Sequence, residues 1–471
     1  MRILKNYLYN LTNQLVNIVI PVVTIPYISR VLGPEMLGIN AYANSIISYF
    51  VLIANLGISI YGNRTIAYAR DSLEARSEVF WEIIFIKLIM ASLAFVSLFL
   101  FLKVYGEYTE YIYMYSILIF ATAVDISWFF AGLEDFRKIV IRNIFVKIFS
   151  FLLIFLLVKS GDDLLFYILI ISLSNFLGNF ALWGSLKAHI KKIRIKQMHI
   201  SLHFYPILIL FLPQVASSVF MTLNKILLAN ISNISEVGFF DNSDKIIRIL
   251  LTILVSIGTV IFPRLANSYK KGDIETVKNF LKISFDISSF LSFPFAIGLI
   301  VVSSSFSSVF FGDSFGGIEL VISILALELI FMGWSSNLGN QFLVAINESK
   351  GLTISLIFAI IVVFLSSLFL LPIYGAKGAA ITSVLGELII LLVQLYFVRK
   401  HLSLVEIFSD TYKFIIASLV MGIVIYYFGE LFNDGLIKLF FQVIIGFGVY
   451  MSLLFLLKPR FYYLVLSKFR G

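Results

Sequence analysis

Apolar stretches of about twenty residues follow one another along almost the whole chain, divided by short polar breaks. A helix that crosses a bilayer needs about 20 mostly apolar residues. Fourteen runs meet that test, at 8–28, 37–61, 81–102, 111–132, 139–158, 163–186, 206–230, 236–263, 279–302, 317–346, 352–371, 376–398, 411–430 and 436–457. The strands of a membrane barrel would instead alternate in character over about 10 residues. The pattern predicts an all-α polytopic membrane protein with about 14 transmembrane helices. Arg2 and Lys5 ahead of the first run give it the look of a signal peptide. The run is too long for one and lacks a small-residue cleavage site, so it is read as the first span.

Lysine and arginine placement orients these spans. With the N-terminus inside, 26 of the 36 fall on inner segments and 5 on outer ones. The remaining 5, Lys87, Lys147, Lys225, Lys245 and Arg248, lie deeper. Such a bias predicts that both termini are cytoplasmic. Composition agrees with the span count: 60% of the 471 residues are hydrophobic and 13% charged. A soluble domain has about 25% charged residues, so a soluble enzyme and a disordered chain are both excluded. The absence of cysteine excludes disulfides, thiol nucleophiles and cysteine metal sites. All four histidines fall in polar stretches outside the apolar runs. The net charge of +9 fits cytoplasmic loops and anionic headgroups, with no nucleic acid as partner.

The longest polar interruption, 187–205, is basic and separates six runs from the next six. The two sets echo each other at an offset of 200, with Gln14 against Gln214, Gly38 against Gly238 and Ile46 against Ile246. This predicts an N-terminal half (1–186), a cytoplasmic linker (187–205), a C-terminal half (206–400) and two additional spans (401–471). Parallel six-helix repeats around a central cavity are a common transporter design.

Polar residues form stripes at helical spacing. Asn6, Asn10, Asn13 and Asn17 share one face of the first run, where Pro21 and Pro26 suggest a bend. Asn40, Asn44, Ser48 and Asn55 line the second; Gln214, Ser217, Ser218 and Lys225 the seventh. Asp241, Lys245, Arg248, Thr252, Ser256 and Thr259 line the eighth; Asn337, Asn340, Gln341 and Asn347 the tenth. In lipid such faces must turn inward or find partners. Ionisable groups inside spans are functional candidates, since each costs about 2.5–3.5 kcal/mol to insert. Asp125, Asp241, Asp244, Glu328 and Glu387 are the acidic ones, with i,i+4 pairs expected for Asp241–Lys245 and Asp244–Arg248. There is no Walker A loop and no dinucleotide fingerprint. His199 and His203 lack a third ligand, so no metal site is expected, and no cofactor.

Asp125-Ile-Ser-Trp-Phe-Phe-Ala-Gly-Leu-Glu-Asp-Phe-Arg137 resembles the signature of Wzx-type polysaccharide repeat-unit flippases, members of the multidrug/oligosaccharidyl-lipid/polysaccharide exporter superfamily. So do the stretches from Ile28 to Gly38, Leu223 to Leu228 and Val237 to Ile246. Asn224 departs from the acidic residue that many relatives carry before Lys225. The resemblance implies export of an undecaprenyl-diphosphate-linked oligosaccharide across the plasma membrane, alongside glycosyltransferases and a polymerase. A diphosphate calls for cations and sugars call for amides. Lys225, Arg248, Lys245, Lys147, Asn13, Asn17, Asn40, Asn44, Gln214, Asn337 and Gln341 are then the expected substrate contacts. Asp125, Asp241, Asp244, Glu328 and Glu387 are coupling or counter-ion candidates, for Na+ or H+. The competing readings are a cation-coupled drug antiporter, which calls for an acidic cavity, a lipid II flippase and a non-transporting scaffold.

Overall fold

The computed structural model describes residues 2–191, 193, 198–346, 348–401, 403–433 and 435–460, without the side chains of 2–11, 257–260 and 349. Asn347, Lys192, Arg194 and Lys196 lie outside the described residues, as do the side chains of Asn6, Asn10 and Thr259. Every regular element described is helical. Among the described residues, eleven helices are long and apolar enough to cross a membrane, or 12 when the bent pair Ile234–Ser256 and Ile261–Lys270 is taken as one span.

The first two apolar runs form one helix, α1 (Arg2–Asn55), interrupted only at Gly33 (φ 72°, ψ 175°). Only glycine adopts that backbone readily, and Pro34 also disfavours a helical conformation just before it. The expected polar gap is therefore a corner at a single residue. α2 (Ile58–Ala69) and α3 (Leu73–Val104) follow. The fourth run is three short helices, α4 (Thr109–Tyr115), α5 (Ile117–Ala123) and α6 (Ser127–Gly132). α7 (Phe136–Leu157) and α8 (Leu164–Ala181) come next.

After α9 (Ser201–Ile231), α10 (Ile234–Lys270) and α11 (Ile274–Phe310), the tenth run breaks. It gives α12 (Ile318–Leu325), α13 (Glu328–Ser336) and a π-helical stretch, Asn337–Leu343. α14 (Ser349–Val398) turns a second corner at Gly375 (φ 53°, ψ −128°). The Glu236 carboxylate accepts the Ala376 N–H there at 2.7 Å. A Cβ on Gly375 would sit 2.7 Å from that same oxygen. A short α15 (Leu404–Ile407) leads to α16 (Thr411–Gly429) and α17 (Leu436–Leu457).

The chain divides into two compact units, Met1–Thr222 and Leu223–Gly471. Phe80, Trp128, Phe129 and Phe130 form much of the first unit's core. The polar segment before α9 is tied into that unit. Trp81 Nε1 donates to Lys191 O at 3.0 Å, and Glu82 accepts the His199 N–H at 2.6 Å. His203 departs from the expectation for the histidines. It is buried in the first turn of α9, 2.7 Å from Glu82 and 2.7 Å from the Tyr61 hydroxyl. Local polarity suggested a loop, but α3 supplies a buried carboxylate that satisfies the ring. In the second unit α16 and α17 pack on α11 through Phe293, Phe414, Met421 and Tyr450.

Candidate functional site

α9 and α10 bring the deep cations of the second unit together. Lys225 Nζ lies 2.6 Å from Asp241 and 3.4 Å from Asp244. Lys245 meets Asp241 at 2.7 Å, and Arg248 Nε meets Asp244 at 2.9 Å. Both expected i,i+4 pairs form because four residues bring two side chains over one another on a helix. Lys225 joins the two pairs into one network, a contact that crosses between helices. The carboxylates are buried, whereas the three cations are partly exposed. The paired network thus holds three cations and two carboxylates, with Glu328 and Glu387 as further acidic neighbours of Arg248. The terminal guanidinium nitrogens of Arg248 have no hydrogen-bond partner among the described residues.

Glu328 and Glu387 are buried on α13 and α14, within electrostatic reach of Asp244 and Arg248. One Glu328 oxygen has no hydrogen-bond partner, and the carboxyl also meets Ser383. Next to Lys225, the Asn224 amide donates to Ala379 O at 3.3 Å. Its carbonyl accepts from Ser367 and Thr382, each at 3.1 Å. Asn224 is thus satisfied as a neutral group where an acidic residue was the expected alternative.

Asn337 and Gln341 serve helix packing. Asn337 donates to Ser288 at 2.8 Å and to Ser284 O at 3.1 Å. Gln341 donates to Asn337 at 2.7 Å and accepts from Ser284 at 3.1 Å. Both are buried, and together they fasten the π-helical stretch to α11.

The first unit places polar groups along a seam between α1 and α7. Lys147 Nζ donates to Asn17, and Asn143 Nδ2 donates to Asn13 at 3.4 Å. No carboxylate among the described residues pairs with Lys147. Asn143 was not singled out from the sequence, although its i,i+4 spacing to Lys147 signals a shared face. Elsewhere in the unit, buried Asn40 accepts from Tyr115 at 2.7 Å, and Asn44 is exposed. Gln214 donates within α9 to Leu210 O at 3.2 Å.

Asp125 organises the signature motif itself. Its carboxylate caps α6 by accepting the Ser127 N–H at 2.9 Å and the Ser127 hydroxyl at 3.0 Å. Its carbonyl accepts from Lys87 at 2.6 Å and from Trp128 at 3.1 Å. Gly62 lets the Trp128 ring approach, since a Cβ there would lie 2.5 Å from it. The motif is a packed helix break.

Among the described residues, no group of three or more His, Asp or Glu is placed to hold a metal.

Residues 3–268 match the profile of a family described as polysaccharide biosynthesis protein. The chain is 24% identical over 360 residues to a protein named as a candidate O-antigen transporter in Escherichia coli (strain K12). That alignment covers 75% of this chain and 86% of the relative. Among solved structures, the lipid II flippase MurJ in an inward closed conformation aligns with a TM-score of 0.75 at 18% identity. It covers 96% of this chain and 98% of that one. An inward-facing multidrug resistance MATE transporter of the MOP superfamily aligns with a TM-score of 0.61 at 16% identity. It covers 84% of this chain and 94% of that one. The fold is that of these transporters, and the chain is a multi-pass membrane protein.

Proposed function

Because the chain belongs to the polysaccharide biosynthesis protein family, we propose that it is a flippase. It moves an undecaprenyl-diphosphate-linked oligosaccharide from the inner to the outer leaflet of the plasma membrane by alternating access. It acts as a transporter and not as an enzyme. Glycosyltransferases and a polymerase supply and consume its substrate.

The observation that carries this reading is Lys147. Amides alone meet this half-buried cation, inside a helix that spans lipid. A buried cation without a counter-charge is costly, and an anionic head group would supply that charge through charge-assisted hydrogen bonds. In the second unit, described by itself, Arg248 is the candidate contact, through its terminal nitrogens. Lys225 and Lys245 complete the basic face. Asn13 and Asn17 face the sugars, and Asn40, Asn44 and Gln214 in the first unit and Asn337 and Gln341 in the second are the other polar candidates. Asp241 and Asp244 are the resident counter-ions. Glu328 and Glu387 are the coupling candidates for Na+ or H+, and Asp125 takes a structural part.

The proposed chain has fourteen spans, and the long candidate spans support that count. A candidate span of 58 residues, Thr12–Ala69, and one of 49, Lys350–Val398, are each far too long for one crossing. The corners at Gly33 and Gly375 divide each into two. On this reading the count is even and both termini share one side, which the lysine and arginine bias makes cytoplasmic, with halves 1–186 and 206–400, the linker 187–205 and the appended spans 401–471.

The test is reconstitution in proteoliposomes with a fluorescent lipid-linked oligosaccharide. Protein-dependent transfer between leaflets, inhibited by excess undecaprenyl diphosphate but not by lipophilic cations, supports the reading. Export of lipophilic cations without transfer of the oligosaccharide would replace it with the drug antiporter.

A further inference from the structure

α7 and α8 bound a groove of about 640 Å³ within the first unit, well away from the α1–α7 seam in character. One end is basic and the rest apolar. Arg137, Lys138 and Arg142 line the basic end, with Asp135 as the one carboxylate. Lys138 is engaged by Asp135 at 3.1 Å and by His189 at 2.9 Å. Arg137 is exposed in the first turn of α7 and pairs with no carboxylate among the described residues. Arg142 donates to Asn179, and its Nε is buried without a hydrogen-bond partner.

Along the groove, Ile141, Phe145 and Phe149 project from α7 at spacings of four, so they form one continuous apolar wall. Phe145 and Phe149 stack at 5.9 Å between ring centres. Leu177 and the exposed Ala181 of α8 line the groove on the other side. The groove is deep because Gly178 lets the helices close up: a Cβ there would overlap Val146. Cations at one end and an exposed apolar channel leading from them match an amphiphile with an anionic head. They do not match a zwitterion or a free phosphate. We propose that this groove binds one anionic glycerophospholipid. Its phosphate lies at Arg137 and Arg142, and one acyl chain runs past Ile141, Phe145 and Phe149. The site is distinct from the substrate contacts proposed above and does not depend on them. A bound anionic lipid would brace α7, the helix that carries Asn143 and Lys147, against α8.

The experiment is native mass spectrometry of the full chain with phosphatidylglycerol or phosphatidylcholine of identical acyl chains. Each cation near an anionic lipid contributes roughly fivefold in affinity, so phosphatidylglycerol should be retained more than ~10-fold better. The double variant Arg137→Ala/Arg142→Gln should bring the two lipids within about twofold, the preference expected once both cations are gone. Arg137→Ala alone, on an exposed first turn, should lower the preference roughly fivefold and keeps the test alive if the double variant fails to fold. Ala181→Phe, which adds bulk to the lining and leaves the charges, should weaken both lipids together. Equal retention of the two lipids by the parent protein would overturn the proposal, and so would an unchanged preference in Arg137→Ala. Stoichiometric displacement of phosphatidylglycerol by undecaprenyl diphosphate would also overturn it, by making the groove part of the export path.

Discussion

Two deep cation sites, one in each unit, are stabilised in opposite ways, while Lys87 of the first unit lies 4.0 Å from the Asp125 carboxylate. In residues 223–471, Lys225, Lys245 and Arg248 rest on two buried aspartates. In residues 1–222, Lys147 rests on an asparagine amide and has no carboxylate. An ion pair balances charge at rest, so most of its stabilisation is present without ligand. An amide satisfies the donor and leaves the charge open. The second unit thus keeps a preassembled ion-pair network, and at Lys147 the first keeps a cation that an anion would complete. Substrate binding should therefore depend most on the first, and folding most on the second.

The largest effect expected is Asp241→Ala. It strips the close partner from both Lys225 and Lys245, and breaking a buried pair costs about 3–5 kcal/mol. The amount of monodisperse protein and its Tm should collapse, whereas Asn17→Ala should cost only about 1 kcal/mol. Similar losses from the two substitutions would dissolve the contrast between the units.

Next is Lys147→Ala. A lost charge-assisted contact is worth about 1.5–3 kcal/mol, so oligosaccharide transfer should fall about 10- to 100-fold. Tm should hold or rise, because a desolvated charge has gone. Lys147→Arg should retain part of the activity. Full transfer by Lys147→Ala would remove the seam from the substrate path.

Arg248→Ala should follow, with transfer down about tenfold. Lys225 stays 3.4 Å from Asp244, so the carboxylate is not abandoned and the protein should fold. Arg248→Lys should also be impaired, since the planar fork is lost. If transfer returns when Asp244→Ala is added, Arg248 serves only as a counter-ion.

The smallest effects separate two histidines of the first unit. His199 is exposed and contributes only its backbone N–H to Glu82, so His199→Gln should change stability by less than about 0.5 kcal/mol. His203→Gln should cost about 1 kcal/mol, because the ring bridges Glu82 and Tyr61. Rescue of either variant by zinc would contradict the structural role given to His203.

Much of this was legible from the chain alone, where the signal was local. Runs of about twenty apolar residues specify lipid-spanning helices because lipid leaves no other partner for the backbone. The pairs Asp241–Lys245 and Asp244–Arg248 follow from helical spacing. Corners were invisible as corners: Gly33 and Gly375 are two of 28 glycines, and only their non-helical backbone inside a long helix marks their role. The tertiary structure alone decided which polar group meets which. The stripe of Asn337 and Gln341 also fastens two helices, and the Asp125 carboxylate accepts from Ser127 at a helix break. Periodicity reports which face of a helix a residue occupies, but not what lies opposite. Lys225 reaches two aspartates on the next helix, Lys147 finds an amide 130 positions away in the chain, and neither partner could be read from spacing.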